Sequence, residues 1–516
     1  MSGSVRRVVI VGGGSAGWLT AGVIASDHMA HHESGLEVVL IESPDVKPIG
    51  VGEGTWPSMR STLQKMGISE TELIRECDAS FKQGSKFSQW ATGDDEYYHP
   101  FTPPAGYNEI NLADYWQVFR EQVTFADAVC VQSHICTQGL APKQISTPEY
   151  AFVANYGYHL DAAKFSALLQ KHCTQKLGVK HVLANVHNVR VDAEGYIVAV
   201  DTETHGDIVG DLFIDCTGFT SLLIGQFYKV PFISKNNILF NDTALAVQIP
   251  YHKDSDAIAS HTLSTARSAG WIWDIGLPSR RGVGYVFSSA HTTADKAEAE
   301  LRKYIEPVIG SQESESIALR KIAIQSGYRK EFWYKNCVAV GLSAGFLEPL
   351  EASALVMIEY SAKMISEQMP VNREQISVVA KRFNEKFIYR WERIIEFLKL
   401  HYVLSRRTDS TFWIDNRDPS TIPEGLQELV SLWRYRSPWH YDATHVEEMF
   451  PSASFQYVLY GMGFETLPRA TQRRSDSALA ERLFKENIQR VMQLSANLPA
   501  NRELLEKIKL FGLQRI

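Results

Sequence analysis

An apolar run that ends abruptly in glycines, VRRVVIVGGGSAGW at residues 5–18, followed by EVVLIES at 37–43, leaves few folds open. The first run reads as a buried parallel strand, residues 16–30 as a helix closed by Gly35, and the second run as a neighbouring strand ending in Glu42. Between strand and helix, Gly12, Gly14 and Gly17 satisfy the GxGxxG spacing. Glycines there permit a tight turn, and with Ser15 and Ala16 they bring backbone N–H groups at a helix N-terminus close to a pyrophosphate. Glu42 stands where an acid accepts from ribose hydroxyls and disfavours a 2′-phosphate. The segment therefore predicts dinucleotide binding.

Two further stretches favour FAD over NAD. PIGVGEGTWPSM at 48–59 carries Gly50, Gly52 and Gly54, which with Val51 and Glu53 form a loop able to lie close against a flat ligand. DLFIDCTGF at 211–219 reads as a strand returning to the cofactor, ending at Asp215 with Gly218 in the turn beyond. There is no second GxGxxG for a nicotinamide, so reducing equivalents are expected from a separate protein.

Composition removes other classes. The formal charge of −7, without a basic stripe, argues against nucleic acid. Six cysteines without a CxxC or CxxH pair argue against a zinc site or a disulfide framework, and fit the cytoplasm. No apolar run is long enough to span a bilayer, and the glycines cut short the apolar stretch after Arg6 and Arg7, so a signal peptide is not expected. His28, His31 and His32 have helical metal-site spacing but no further ligand beside them, so no metal is expected. GWIWDIG at 270–276 puts Trp271 and Trp273 on one face of a strand, as ordinary core or as the wall of a cavity.

Taken together, GGGSAGW, IGVGEGTWP at 49–57, SFKQGSKF at 80–87, YHLDAAKF at 158–165, DLFIDCTGF, GWIWDIGL, GLSAGFLEPLEAS at 341–353 and FLKLHYVLSRR at 397–407 resemble the flavin-dependent tryptophan (indole) halogenases. The resemblance covers most of the chain, with the motifs in family order. GWIWDIG is similar to the family's WxWxIP signature, with Gly276 in place of proline. It implies an α/β fold: an FAD-binding, Rossmann-like domain of the flavin monooxygenase type from residues 1–100, 151–240 and 321–360, substrate-side strands and loops at 101–150 and 241–320, and a C-terminal helical part at 361–516 that binds or caps the substrate.

The resemblance implies chemistry in which FADH2, O2 and halide yield hypohalous acid, which then halogenates an aromatic ring held away from the flavin. Lys82 matches the lysine that captures or hydrogen-bonds that acid, while Lys86 reads as structural. Taken without the resemblance, Lys82 reads as an exposed lysine of a helix. Glu351 matches the glutamate that polarises the acid or takes the ring proton, with Glu348 as a structural neighbour. The family's E-S-T-G reads Glu351-Ala352-Ser353-Ala354 here, so Ser353 and Ala354 stand beside the expected halide and flavin position, and bromide is expected over chloride. Phe455 stands where the family carries a substrate-stacking Trp, which favours indole or a simple derivative over free tryptophan. The implied partner is a flavin reductase, and a homodimer is left open. The alternatives are an aromatic hydroxylase, which gives Lys82 and Glu351 no joint role, and a non-catalytic flavoprotein, which would lose nothing in Lys82→Ala.

Overall fold

The computed structural model describes residues 4–46, 52–467 and 475–515 of the chain. They form two compact units, each discontinuous in sequence: residues 1–78, 160–235 and 325–391, and residues 79–159, 236–324 and 392–516.

The first unit is built on β1 (Arg7–Val11), α1 (Ser15–Asp27) and β2 (Glu37–Glu42). α2 (Ser58–Met66), α3 (Ala162–Lys176), β3 (Lys180–Leu183), β4 (Leu212–Asp215), β5 (Trp333–Tyr334), β6 (Cys337–Ala339) and α4 (Ser353–Glu367) follow in chain order. The sheet order is β5-β6-β4-β1-β2-β3. It is parallel throughout except for the β5–β6 edge pair. A parallel strand covered on both faces must be apolar along its whole length. Accordingly Val8, Val9 and Ile10 of β1, and Leu212, Phe213 and Ile214 of β4, are fully buried. α1 packs against α3 and α4 and reads apolar nearly all round, with Gly17 through Ala25 buried without a break.

The second unit carries a seven-stranded sheet. Its order is Arg320–Ala323, Thr243–Ile249, Arg281–Phe287, Gly270–Gly276, Thr262–Arg267, Gly84–Ser88, Glu96–Pro100. Only the pairing of Thr262–Arg267 with Gly84–Ser88 is parallel. The GWIWDIG strand is buried along its whole length, and its register sets Trp271 opposite Val286 and Trp273 opposite Gly284. The C-terminal region is helical, with Glu424–Trp433, Ser452–Gly461, Ser477–Asn497 and Asn501–Phe511 following one another. The fold is thus the α/β class expected, a parallel Rossmann-like sheet together with a helical C-terminal region.

All six cysteines are free and buried. Among the described residues no helix is long and apolar enough to cross a membrane, and no group of three metal-ligating side chains occurs.

Candidate active site

The first unit presents a cradle at the end of β1. Gly12 has φ +116°, and a Cβ there would stand 2.2 Å from the Cys216 carbonyl oxygen. At Gly17 a Cβ would meet the Gly12 carbonyl at 1.8 Å, so helix and strand approach as closely as backbone allows. Gly13 is constrained by a different neighbour: its Cβ would lie 2.2 Å from Cδ of Glu42. Beside Gly14 there is open space, and no side chain caps α1 at that end. The first N–H groups of a helix have no partner inside it and carry the positive end of its dipole. Glu42 Oε2 is buried and, among the described residues, forms no hydrogen bond. Open space at Gly14, an uncapped helix end and a carboxylate seated over Gly13 together fit the pyrophosphate and ribose of a dinucleotide. Ser15, next along α1, shares a 2.8 Å hydrogen bond with Ser166, and Ala16 is half-buried.

Asp215, at the end of β4, is fully buried and surrounded by donors. Its Oδ1 accepts from the backbone N–H and hydroxyl of Thr217 and from the Ser343 hydroxyl, and its Oδ2 accepts from the N–H groups of Leu223 and Ile224. With that many donors its carboxylate shapes the turn carrying Gly218, which adopts φ +68° with open space beside it. Asp215 thus acts on the loop it braces.

Of the glycine loop at 48–59, Gly50 and Val51 lie outside the described residues, while Gly52 and Glu53 fall in the short strand Gly52–Gly54. Burial pushes the Glu53 carboxyl up to about 7.

Glu351 is buried and sits in the left-handed region, φ +63°, as does Ala352 at φ +55°. Two successive non-glycine residues in that region store strain of about 1–2 kcal/mol each. The indole N–H of Trp56 donates to the Glu351 carbonyl at 2.8 Å and helps hold the turn. α4 begins immediately after, with buried Ser353 and exposed Ala354 as its first residues. Its N-cap, Ala352, supplies no side-chain oxygen to the first N–H groups of the helix.

In the second unit Lys82 lies on the strand Ser80–Lys82, paired antiparallel with Gly157–Asp161, and is 1% exposed. This corrects the reading of it as an exposed helix lysine: a three-residue strand has no periodicity to announce it, and its partner is some 75 residues away. Its Nζ stands 5.2 Å from the centre of the Phe101 ring. His159, opposite Ser80, is fully buried with Nε2 2.8 Å from the Thr262 hydroxyl. Burial, and then the charge of Lys82, hold this imidazole well below its usual range, so it is neutral. Lys86 is ion-paired with Glu96 at 2.7 Å.

The two tryptophans differ. Trp271 sits in an aromatic core with Trp90, itself packed on Tyr402 and Trp413. The ring of Trp273 lies on Gly284, and Asp274, which alternation turns to the other face of the strand, is tied by Arg281 and by the Tyr304 hydroxyl at 2.9 Å. Phe455 is half-buried and packs on Phe397 at 5.0 Å and Trp433 at 5.1 Å. His99, buried and 5.7 Å from Phe397, joins this cluster. Sequence reading passed over His99, Phe101, His159 and His181. Period-two alternation in YYHPF, which buries Tyr97 and His99 on one face, is the signal that marks the first two.

Comparison with known proteins gives one consistent result. Residues 7–478 match the family model described as tryptophan halogenase. The chain is 32% identical to tryptophan 6-halogenase SttH of Streptomyces toxytricini, over 96% of this chain and 97% of that one. The crystal structure of a tryptophan halogenase from Shewanella frigidimarina superposes with a TM-score of 0.97 at 50% identity, covering 99% of each chain. BrvH, a flavin-dependent halogenase from Brevundimonas sp. BAL3, superposes with a TM-score of 0.85 at 32% identity, covering 98% of this chain and 99% of its own.

Proposed function

The chain belongs to the tryptophan halogenase family of flavin-dependent enzymes, and on that premise we propose that it halogenates an indole-type aromatic ring, using FADH2, O2 and preferably bromide. Gly12, Gly14, Ser15, Ala16 and Gly17 hold the pyrophosphate at the start of α1, Glu42 takes the ribose, and Gly52, Glu53 and the Asp215–Gly218 turn border the flavin. What FAD supplies when bound is the two-electron reduction of O2 that, with halide, yields hypohalous acid.

Lys82 then hydrogen-bonds the oxygen of that acid and passes it a proton. As the ring carbon bonds to halogen, the halogen–oxygen bond breaks and the oxygen leaves as water. Glu351 takes the proton from the halogenated carbon, restoring aromaticity. Its left-handed backbone fixes where the carboxylate is aimed, and such strain is characteristic of functional positions. The uncapped start of α4, with Ser353 and Ala354, is the halide and flavin side. Trp271 and Trp273 supply a rigid aromatic wall on the substrate side, and Phe455 contributes a ring face for the indole. A separate flavin reductase delivers FADH2.

Burial of Lys82 carries this reading. An ammonium group at 1% exposure is costly to the fold and is retained where it has a use; Lys143 and Lys399, equally buried, bind backbone carbonyls, and Lys82 stands in the motif that the resemblance assigns to the chemistry. The test is mass spectrometry of indole incubated with the protein, a flavin reductase system, oxygen, and equal chloride and bromide. Brominated indole is expected, falling at least about 100-fold in Lys82→Ala while FAD binding is kept. Hydroxylated indole, or unchanged yield in Lys82→Ala, would overturn it.

A further inference from the structure

Glu42 has a companion outside the glycine motif. His181, on β3, pairs in register with Leu40 of β2, and so lies on the same side of the sheet as the Glu42 side chain. Its Nε2 stands 2.9 Å from Glu42 Oε2. Both atoms are buried and, among the described residues, neither makes a hydrogen bond to any third group. The ring is fixed from two more directions. Gln170 of α3 approaches Nδ1 with its amide nitrogen at 3.4 Å, and Trp18 of α1 meets the ring edge-on at 5.1 Å. An amide N–H donating to Nδ1 makes that nitrogen the acceptor, which puts the imidazole proton on Nε2, toward Glu42.

We propose that His181 is a positioning residue for the cofactor: its Nε2–H holds Glu42 Oε2, and leaves Oε1, poised over Gly13, to accept from the adenosine ribose diol. Without it Oε2 would be a buried carboxylate oxygen with no donor near it, and the side chain would turn to find one. The placement also accounts for Gly13, which is not one of the three motif glycines. Oε1 lies 2.6 Å from where a Cβ would be, so the carboxylate is seated directly on the phosphate loop. The inference rests on the proposal that Glu42 receives the ribose.

The test is equilibrium binding of FAD and of ADP to apoprotein, followed by fluorescence, for His181→Gln, His181→Asn, Glu42→Gln and the double variant His181→Asn with Glu42→Gln. A glutamine places its amide nitrogen near the former Nε2, whereas asparagine reaches only the Nδ1 position. His181→Gln is expected to bind both ligands within about twofold of wild type, and His181→Asn to lose about tenfold, the worth of one hydrogen bond to a charged group. In the Glu42→Gln background the His181→Asn loss should disappear. Equal losses in the two His181 variants, or a loss that persists without the Glu42 charge, would mean packing only and would overturn the inference. If Glu42→Gln itself leaves ADP and FAD binding unchanged, the ribose role of Glu42 fails and this inference with it.

Discussion

Gly284 is glycine because of Trp273: a Cβ there would stand 2.1 Å from the indole ring carbons, so the ring lies against bare backbone on the neighbouring strand. The pair converts a sheet surface into a flat, rigid aromatic face, since the ring can neither rotate into the sheet nor sink deeper. Strand glycines weaken a sheet and are kept where a close approach requires them.

Gly284→Ala should therefore act through Trp273. Forcing a methyl into a filled position costs about 1–3 kcal/mol, visible as a lower melting temperature with FAD affinity unchanged. Trp273→Leu in the Gly284→Ala background should recover part of that loss, because the smaller side chain makes room. If the two changes are simply additive, the ring is not what excludes the methyl. The double variant also probes the wall, because a thinner barrier should let hydroxylated product appear beside the halogenated one.

Glu359 of α4 makes stability depend on pH. It is buried and accepts from the hydroxyls of Thr62 at 2.6 Å and Ser58 at 3.1 Å, both on α2. Burial, only partly offset by those two donors, pushes its carboxyl up to about 8. An acid whose folded value is raised binds its proton more tightly in the native state. Its contribution is full below the ordinary carboxylate range and is lost as pH rises toward 8. Glu359→Gln keeps the acceptor oxygen and removes the charge. Its melting temperature relative to wild type should rise by about 2 °C or more between pH 5 and pH 8.5. A constant difference across that range would show that Glu359 is not the group responsible.

Two adjacent glycines should fail for opposite reasons. A methyl on Gly14 meets nothing in the protein, whereas one on Gly13 would collide with Glu42 Cδ at 2.2 Å. Gly14→Ala should leave the apoprotein melting temperature unchanged and weaken FAD about tenfold or more, because the methyl occupies space held for the pyrophosphate. Gly13→Ala should lower the apoprotein melting temperature and FAD affinity together by displacing Glu42. Thermal melts of apo and FAD-loaded samples separate the two, and a Gly14→Ala apoprotein that melts early would remove the distinction.

What the sequence revealed was the part encoded by local spacing. The β1–α1–β2 unit was legible because the strand, the glycines, the helix and Glu42 lie within about forty residues and each has its own signature. Lys82 was not legible from its own neighbourhood, since its strand is stabilised by pairing with Gly157–Asp161. The left-handed turn at Glu351 and Ala352 was hidden for a different reason. Neither residue type favours positive φ, so the conformation is imposed by surroundings such as the Trp56 hydrogen bond. His181 reaches Glu42 across sheet register and 139 residues of chain, which no local pattern records.

Halide choice tests the start of α4 most directly. Ala352 at the N-cap offers no side-chain donor or acceptor, and Ala354 brings a methyl where the family pattern has glycine. An anion there depends on backbone N–H groups, the helix dipole and the Ser353 hydroxyl, which favours the ion that gives up water more readily. Bromide is less tightly hydrated than chloride and easier to oxidise, so both binding and chemistry point the same way. With equal halides, brominated product should exceed chlorinated product by about tenfold or more, a difference of roughly 1.4 kcal/mol. Ala354→Gly should narrow that ratio by clearing the methyl and raising chloride turnover, with bromide turnover nearly constant. Equal products in the unaltered enzyme would refute the preference, and a ratio untouched by Ala354→Gly would move its origin away from this helix end.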